Sequence, residues 1–195
     1  MDDLGQLVLE QAAAQWARWH AAGLDLHISL NLSGRQLMDR GLPQRIAAVM
    51  GSAEMPPGAL WVDVNESDLV DDLYGGAGTL RDIAEAGACL SIDDFGTGWS
   101  SLAYLRDASV HAIKIDRAFI DGVDADDTKS AIVTSLVTLG RELQLEVIAE
   151  GIETAAQEAR LRDLGCELGQ GYLYGQPMPP DDLVIPGRSR RRRPT

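Results

Sequence analysis

Leu26-His27-Ile28-Ser29-Leu30-Asn31-Leu32-Ser33 alternates strictly between apolar and polar side chains. Successive side chains of a β-strand point to opposite faces. Leu26, Ile28, Leu30 and Leu32 therefore share one face, and His27, Ser29, Asn31 and Ser33 the other. Trp61-Val62-Asp63-Val64-Asn65 repeats the pattern, with Val62 and Val64 opposing Asp63 and Asn65. Four further stretches end on a polar residue: Ser91-Ile92-Asp93-Asp94, Ala112-Ile113-Lys114, Ile148-Ala149-Glu150 and Leu168-Gly169-Gln170. Laid side by side as parallel strands, they bring an amide, several carboxylates and an ammonium to one rim. Oxygen donors gathered at the carboxyl ends of parallel strands are what a divalent cation requires. Any one of these residues is explained by a strand ending in solvent; six in phase argue for a shared site.

Between these stretches the apolar spacing turns helical. Asp2 or Asp3 can cap a first helix whose stripe reads Leu4, Leu7, Val8, Ala12, Trp16 and Trp19, and Gly23 ends it. The expected strands are Leu26–Ser33, Leu60–Glu66, Ala88–Asp94, His111–Asp116, Glu146–Glu150 and Glu167–Leu173. A helical region ends near Met50, before a Pro56-Pro57-Gly58 turn, and Leu80, Ile83 and Ala84 mark a helix that stops at Gly87. Leu102 and Leu105 suggest a short helix. Asp126 or Asp127 can cap the next, with the stripe Ile132, Val133, Leu136, Leu139 and Leu143. Thr154 and Gln157 form a capping box for a helix that ends at Gly165. Strand alternating with helix predicts a parallel sheet with right-handed crossovers. Polar ends on every strand favour a TIM-type (β/α) barrel over a doubly wound sheet, whose site sits at one switch point. Neither GxGxxG nor a Walker A sequence occurs.

The 195 residues suit one domain, and 45% hydrophobic content suits a globular chain. Aromatic residues are only 5%, which argues against a stacking surface for single-stranded nucleic acid. The net charge of −13 is unevenly spread: Arg188, Arg190, Arg191, Arg192 and Arg193 all lie in the last eight residues. Without those five, 12 basic residues face 30 acidic ones, a net −18. Such a body repels nucleic-acid polymers, so a phosphate ligand needs a bridging cation. Residues 181–195, rich in Pro and Arg, read as a disordered tail. Cys89 and Cys166 lack metal-ligand spacing and are expected as buried free thiols of a cytoplasmic protein. No run of about 18 apolar residues suggests a membrane span, and the acidic Met1-Asp2-Asp3 start is unlike a signal peptide.

Five motifs, in order, resemble the EAL domain family of bacterial cyclic di-GMP phosphodiesterases. They are Asn31-Leu32-Ser33, Ile92-Asp93-Asp94-Phe95-Gly96-Thr97-Gly98-Trp99-Ser100-Ser101-Leu102, Lys114-Ile115-Asp116, Ala149-Glu150-Gly151-Ile152-Glu153-Thr154 and Gln170-Gly171-Tyr172. The resemblance spans residues 1–180 and implies a TIM barrel that hydrolyses cyclic di-GMP to linear pGpG with Mg²⁺ or Mn²⁺. It implies metal contacts at Asn31, Asp63, Asp93, Asp94 and Glu150, with Lys114, Glu150 and Asp94 catalytic. Lys114 would orient or activate the attacking water. Glu153 and Gln170 match positions near the metals and phosphate, Asp116 belongs to the same neighbourhood, and Glu66 matches a brace for the loop after Asp94. Two metals about 3.5–4 Å apart clamp both the attacking and the leaving oxygen of an in-line displacement. The family also implies a homodimer through the loop Asp94 to Ser101 and a sensory or GGDEF-type domain in the full-length protein.

Two departures shape the expectation. The family's first two strands and the Glu-Ala-Leu tripeptide on the second have no counterpart here, so the reading is an incomplete barrel of six βα units. Such a chain is expected to be weakly active or inactive by itself. Second, the family's ExTE segment reads Asp63-Val64-Asn65-Glu66. Asp63 stands where the family has a glutamate ligand, and its carboxylate is shorter by one bond of about 1.5 Å. The alternative function is a non-catalytic cyclic di-GMP receptor or protein-interaction module.

Overall fold

Each polar-ended stretch forms a strand of one parallel sheet. The structure, a computed structural model, describes residues 3–70, 76–97, 105 and 109–183. Asp2, the Trp99-Ser100-Ser101-Leu102 segment, Pro186 and the arginine run lie outside the described residues. The strands are β1 (Ile28–Leu32), β2 (Leu60–Asn65), β3 (Cys89–Phe95), β4 (Ala112–Ile115), β5 (Glu146–Ala149) and β6 (Leu168–Gly169). They lie in chain order, every adjacent pair parallel, with β1 and β6 at the two edges. The helices among the described residues are α1 (Asp3–Ala21), α2 (Gly34–Leu37), α3 (Leu42–Ser52), α4 (Glu66–Val70) and α5 (Gly76–Glu85). After β4 come α6 (Arg117–Ile120), α7 (Asp127–Glu142) and α8 (Ala155–Asp163). This is an α/β, TIM-type arrangement of six parallel strands alternating with helices.

The apolar strand faces pack against the helices. Val62, Val64, Leu90, Ile92 and Ile113 meet Leu42, Ile46, Leu80 and Ile83 in one buried cluster. Ile115 and Ala149 meet Ile120, Val133, Val137 and Leu161 in a second. Leu136 and Val147 pack against both clusters and make them continuous. The opposite face carries the polar residues, so the sheet has a dry side and a chemical side.

Local signals explain most boundaries. Asp126 caps α7 by accepting the N–H groups of Thr128 and Lys129 at 2.8 and 3.2 Å. Thr154 and Gln157 form the reciprocal capping box at α8. The first helix departs from expectation. Its buried stripe is Leu9, Ala13 and Trp16, while Leu4, Leu7 and Val8 are 68, 49 and 43% exposed. The helix carries two apolar rows that share Trp16, whose indole N–H donates to the Leu26 carbonyl at 2.8 Å.

The helical region before Met50 is two helices, α2 and α3, with Pro43 in the first turn of α3. The sixth strand is shorter than expected, two residues rather than seven. The chain turns at Gly171, where a side chain would collide with the Ile152 backbone. Cys166 is buried but Cys89 is only half-buried; both thiols are free. Among the described residues no helix is long and apolar enough to cross a membrane.

Candidate metal centre at the strand ends

The site begins with two adjacent acids at the end of β3. Strand alternation alone would send Asp93 and Asp94 to opposite faces. The backbone prevents this. From Ile92 to Phe95 the partner on β4 advances only from Ile113 to Ile115, a bulge of one extra residue. Asp94 takes up that residue with φ of 55°, in the left-handed region that non-glycine residues seldom occupy. The third strand thus runs through the bulge to Phe95, rather than breaking at Asp94 as the sequence suggested. The Asp94 N–H donates to Asp93 Oδ1 at 3.0 Å, and the Asn65 amide donates to Asp94 Oδ2. Carboxylate oxygens of Asp93, Asp94 and Glu150 then lie within 4.8 Å of one another.

The loop that follows is held from beneath. Glu66, 1% exposed, accepts the Gly96 N–H at 2.8 Å, and Thr97 Oγ1 donates to the Asp94 carbonyl at 2.8 Å. Gly96 has φ of +98°, and a Cβ there would lie 3.1 Å from the Phe119 ring, so the turn requires glycine.

Lys114 links the acids. Its Nζ lies 2.6 Å from Glu150 Oε1, 2.8 Å from Asp63 Oδ2 and 3.9 Å from Asp93 Oδ2. Asp63 is buried; Ser29 donates to its Oδ2 at 2.6 Å and Ser91 to its Oδ1. Burial opposes the charge on Lys114, but hydrogen bonds and charges from Asp63 and Glu150 outweigh it and hold the ammonium above its usual range. One ammonium cannot satisfy four carboxylates. Burial, with Asp93 nearby, pushes Glu150 up to about 7 despite Lys114. Burial also raises Asp94, helped by Asp116 and Asp93 and opposed by Asn65. A surplus of acid held back from ionising is the electrostatic state that a divalent cation relieves, and the three clustered carboxylates offer the hard oxygen donors such a cation prefers.

A cavity of about 290 Å³ opens beside this cluster, lined by Asp94, Asp116, Arg117, Glu150, Glu153, Gln170 and Tyr172. Asp116 caps α6 by accepting the Ala118 N–H at 2.7 Å. Glu153 pairs with Arg117 at 2.7 Å. Gln170 is fixed by its backbone, donating to Ala149 at 2.8 Å and accepting from Ile152 at 3.0 Å. Of the residues singled out from sequence, Asp93, Asp94, Glu150, Lys114 and Asp63 are in or around the acid cluster. Asp116, Glu153 and Gln170 line the adjoining cavity, and Glu66 supports the loop. Asn31 is exposed on the edge strand β1, in register with Asp63.

Sequence reasoning passed over Ser29, Ser91 and Asn65, which hold the acids in place. The strand phase already put them on the polar face. Arg117 was also missed; nothing in its spacing marks it, since its place follows from the turn into α6.

The chain matches the EAL domain model over residues 1–177. It is 39% identical over 182 residues to the bifunctional diguanylate cyclase/cyclic di-GMP phosphodiesterase MucR of Pseudomonas aeruginosa, covering 93% of this chain and 27% of MucR. The solved PaMucR phosphodiesterase in complex with c-di-GMP superposes with a TM-score of 0.88 at 39% identity, over 93% of this chain and 74% of that one. The EAL domain of Mycobacterium smegmatis DcpA gives a TM-score of 0.86 at 32% identity, over 92% and 81%. The chain spans about a quarter of the length of the curated relatives it matches. On the motif order, the parallel sheet and these likenesses together, the chain belongs to the EAL domain family.

Proposed function

We propose that this chain carries the active site of a metal-dependent phosphodiesterase that hydrolyses cyclic di-GMP to linear pGpG in the cytoplasm. The observation that carries the reading is the convergence of Asp93, Asp94 and Glu150 within 4.8 Å beside an open cavity. These three acids would hold Mg²⁺ or Mn²⁺. The bound ions supply Lewis-acid polarisation of the phosphate oxygens. The protein's own part is positional. Lys114 sets a fixed positive charge among the acids and orients the attacking water. Glu153, Gln170 and Asp116 shape the cavity for the nucleotide, and Glu66 holds the loop that carries Asp94. Water adds to phosphorus, one ribose–phosphate ester bond breaks, and the ribose oxygen leaves with a proton.

A sensory or GGDEF-type domain accompanies this unit in the full-length protein, a reading supported by MucR's two activities and by the fraction of its length matched here. The loop Asp94 to Ser101 is the proposed contact between two copies. Chromatography of the products formed by full-length protein, with Mg²⁺ or Mn²⁺ and with EDTA, tests the reaction. pGpG should form with metal and disappear in Asp93→Asn. One observation favours a second reading, a receptor that binds cyclic di-GMP without cleaving it: Asp63 stands where the family has a glutamate. Nucleotide binding without product would select that reading.

A further inference from the structure

We propose that Asp63 is a positioning residue for Lys114 and not a metal ligand. The inference deepens the phosphodiesterase reading and rests on it for its place in the reaction. Both oxygens of Asp63 are committed: Oδ1 to the Ser91 hydroxyl, and Oδ2 to the Ser29 hydroxyl at 2.6 Å and to Lys114 Nζ at 2.8 Å. The side chain is 5% exposed, and its partners hold it at the floor of a cavity lined by Ser29, Asp63, Ser91 and Lys114. Strand register gives the geometric reason. Asp63 sits opposite Ser91, whereas Asp93 sits opposite Asn65, one side-chain step further along the sheet. Two residues of strand span about 6.6 Å. A glutamate at position 63 would gain about 1.5 Å of reach toward the three clustered acids; an aspartate stays with the serines.

The arrangement has a clear logic. Lys114 projects among Asp63, Asp93 and Glu150, and its flexible stem offers three acids to choose from. Asp63, itself fixed by Ser29 and Ser91 from the strands on either side, anchors the ammonium. Glu150 shares the ammonium at 2.6 Å, and Asp93 stands off at 3.9 Å. Ser29, exposed on the edge strand, and the buried Asp63, Ser91 and Lys114 form one hydrogen-bonded network across four adjacent strands.

The chain contains only two lysines, Lys114 and Lys129, which makes the test clean. Reductive methylation of the protein, read by peptide mass spectrometry, reports the protection of Lys114 with Lys129 as an internal standard. In Asp63→Asn, methylation of Lys114 should rise at least fivefold while that of Lys129 is unchanged. Manganese binding, measured by electron paramagnetic resonance without nucleotide, should stay within threefold of the parent in Asp63→Asn and weaken at least tenfold in Asp93→Asn. Should Asp63→Asn fail to fold, Ser29→Ala serves in its place, with a smaller rise in Lys114 labelling and the same unchanged manganese affinity. Unchanged Lys114 labelling, or manganese loss in the position-63 or position-29 variant equal to that of Asp93→Asn, overturns the inference. Neither readout needs turnover. A protein that binds manganese and shields Lys114 through Asp63 yet releases no pGpG defeats the phosphodiesterase reading and leaves the positioning role standing.

Discussion

The surroundings of Glu150 work against its charge. Its carboxyl is raised from 4.5 to about 7 in the metal-free protein, first by burial and then by Asp93. The folded protein therefore binds this proton more tightly than the unfolded chain does. The linked stability is fully present below about pH 4.5 and is lost as pH rises through about 7. Thermal melts of metal-free protein across that window should show this decline, and Glu150→Gln should flatten it. A divalent cation must displace the same proton, so Mn²⁺ affinity should increase as pH passes through about 7 in titration calorimetry. Asp94 works under a different constraint, a left-handed backbone that only glycine adopts without cost. Asp94→Gly should relieve that strain but remove a ligand. The variant should keep or gain thermal stability while losing at least about a hundredfold in pGpG formation, the equivalent of about 2.7 kcal/mol.

Among the elements, α8 and β6 show what local sequence can and cannot disclose. The capping box at Thr154 and Gln157 is a four-residue signal, complete in itself, and the helix starts where it says. Thr154→Ala should cost about 1 kcal/mol in denaturant unfolding and leave Mn²⁺ affinity unchanged, because the cap touches no ligand. The short β6 was illegible for the opposite reason. Its end is set by the Ile152 backbone lying against Gly171, a contact between segments nineteen positions apart. Gly171→Ala should cost about 1–3 kcal/mol and disturb Gln170 beside it. The face that α1 buries was hidden likewise, since Leu9 and Ala13 compete with the equally apolar Leu4, Leu7 and Val8, and both rows share Trp16. Strand phase was legible because it depends on neighbours alone, and with it the acid cluster. The bulge that turns Asp93 and Asp94 to one side was foreseeable only as a need, not as a backbone conformation.

At the scale of the molecule, the body from Met1 to Gly187 carries 12 basic against 30 acidic residues. A doubly charged cyclic dinucleotide approaching it meets long-range repulsion at low ionic strength. EDTA should therefore weaken cyclic di-GMP binding by at least about tenfold, or 1.4 kcal/mol, in low-salt calorimetry. NaCl at matched ionic strength should restore only part of what Mg²⁺ restores. The order of the sheet has a separate consequence. Each strand's partner is the strand synthesised immediately before or after it, and a single crossover separates the two. Among the described strands no pairing has to wait for a distant segment, so a nascent chain leaving the ribosome can lay down this part of its sheet one unit at a time, each fresh strand docking on an edge that already exists.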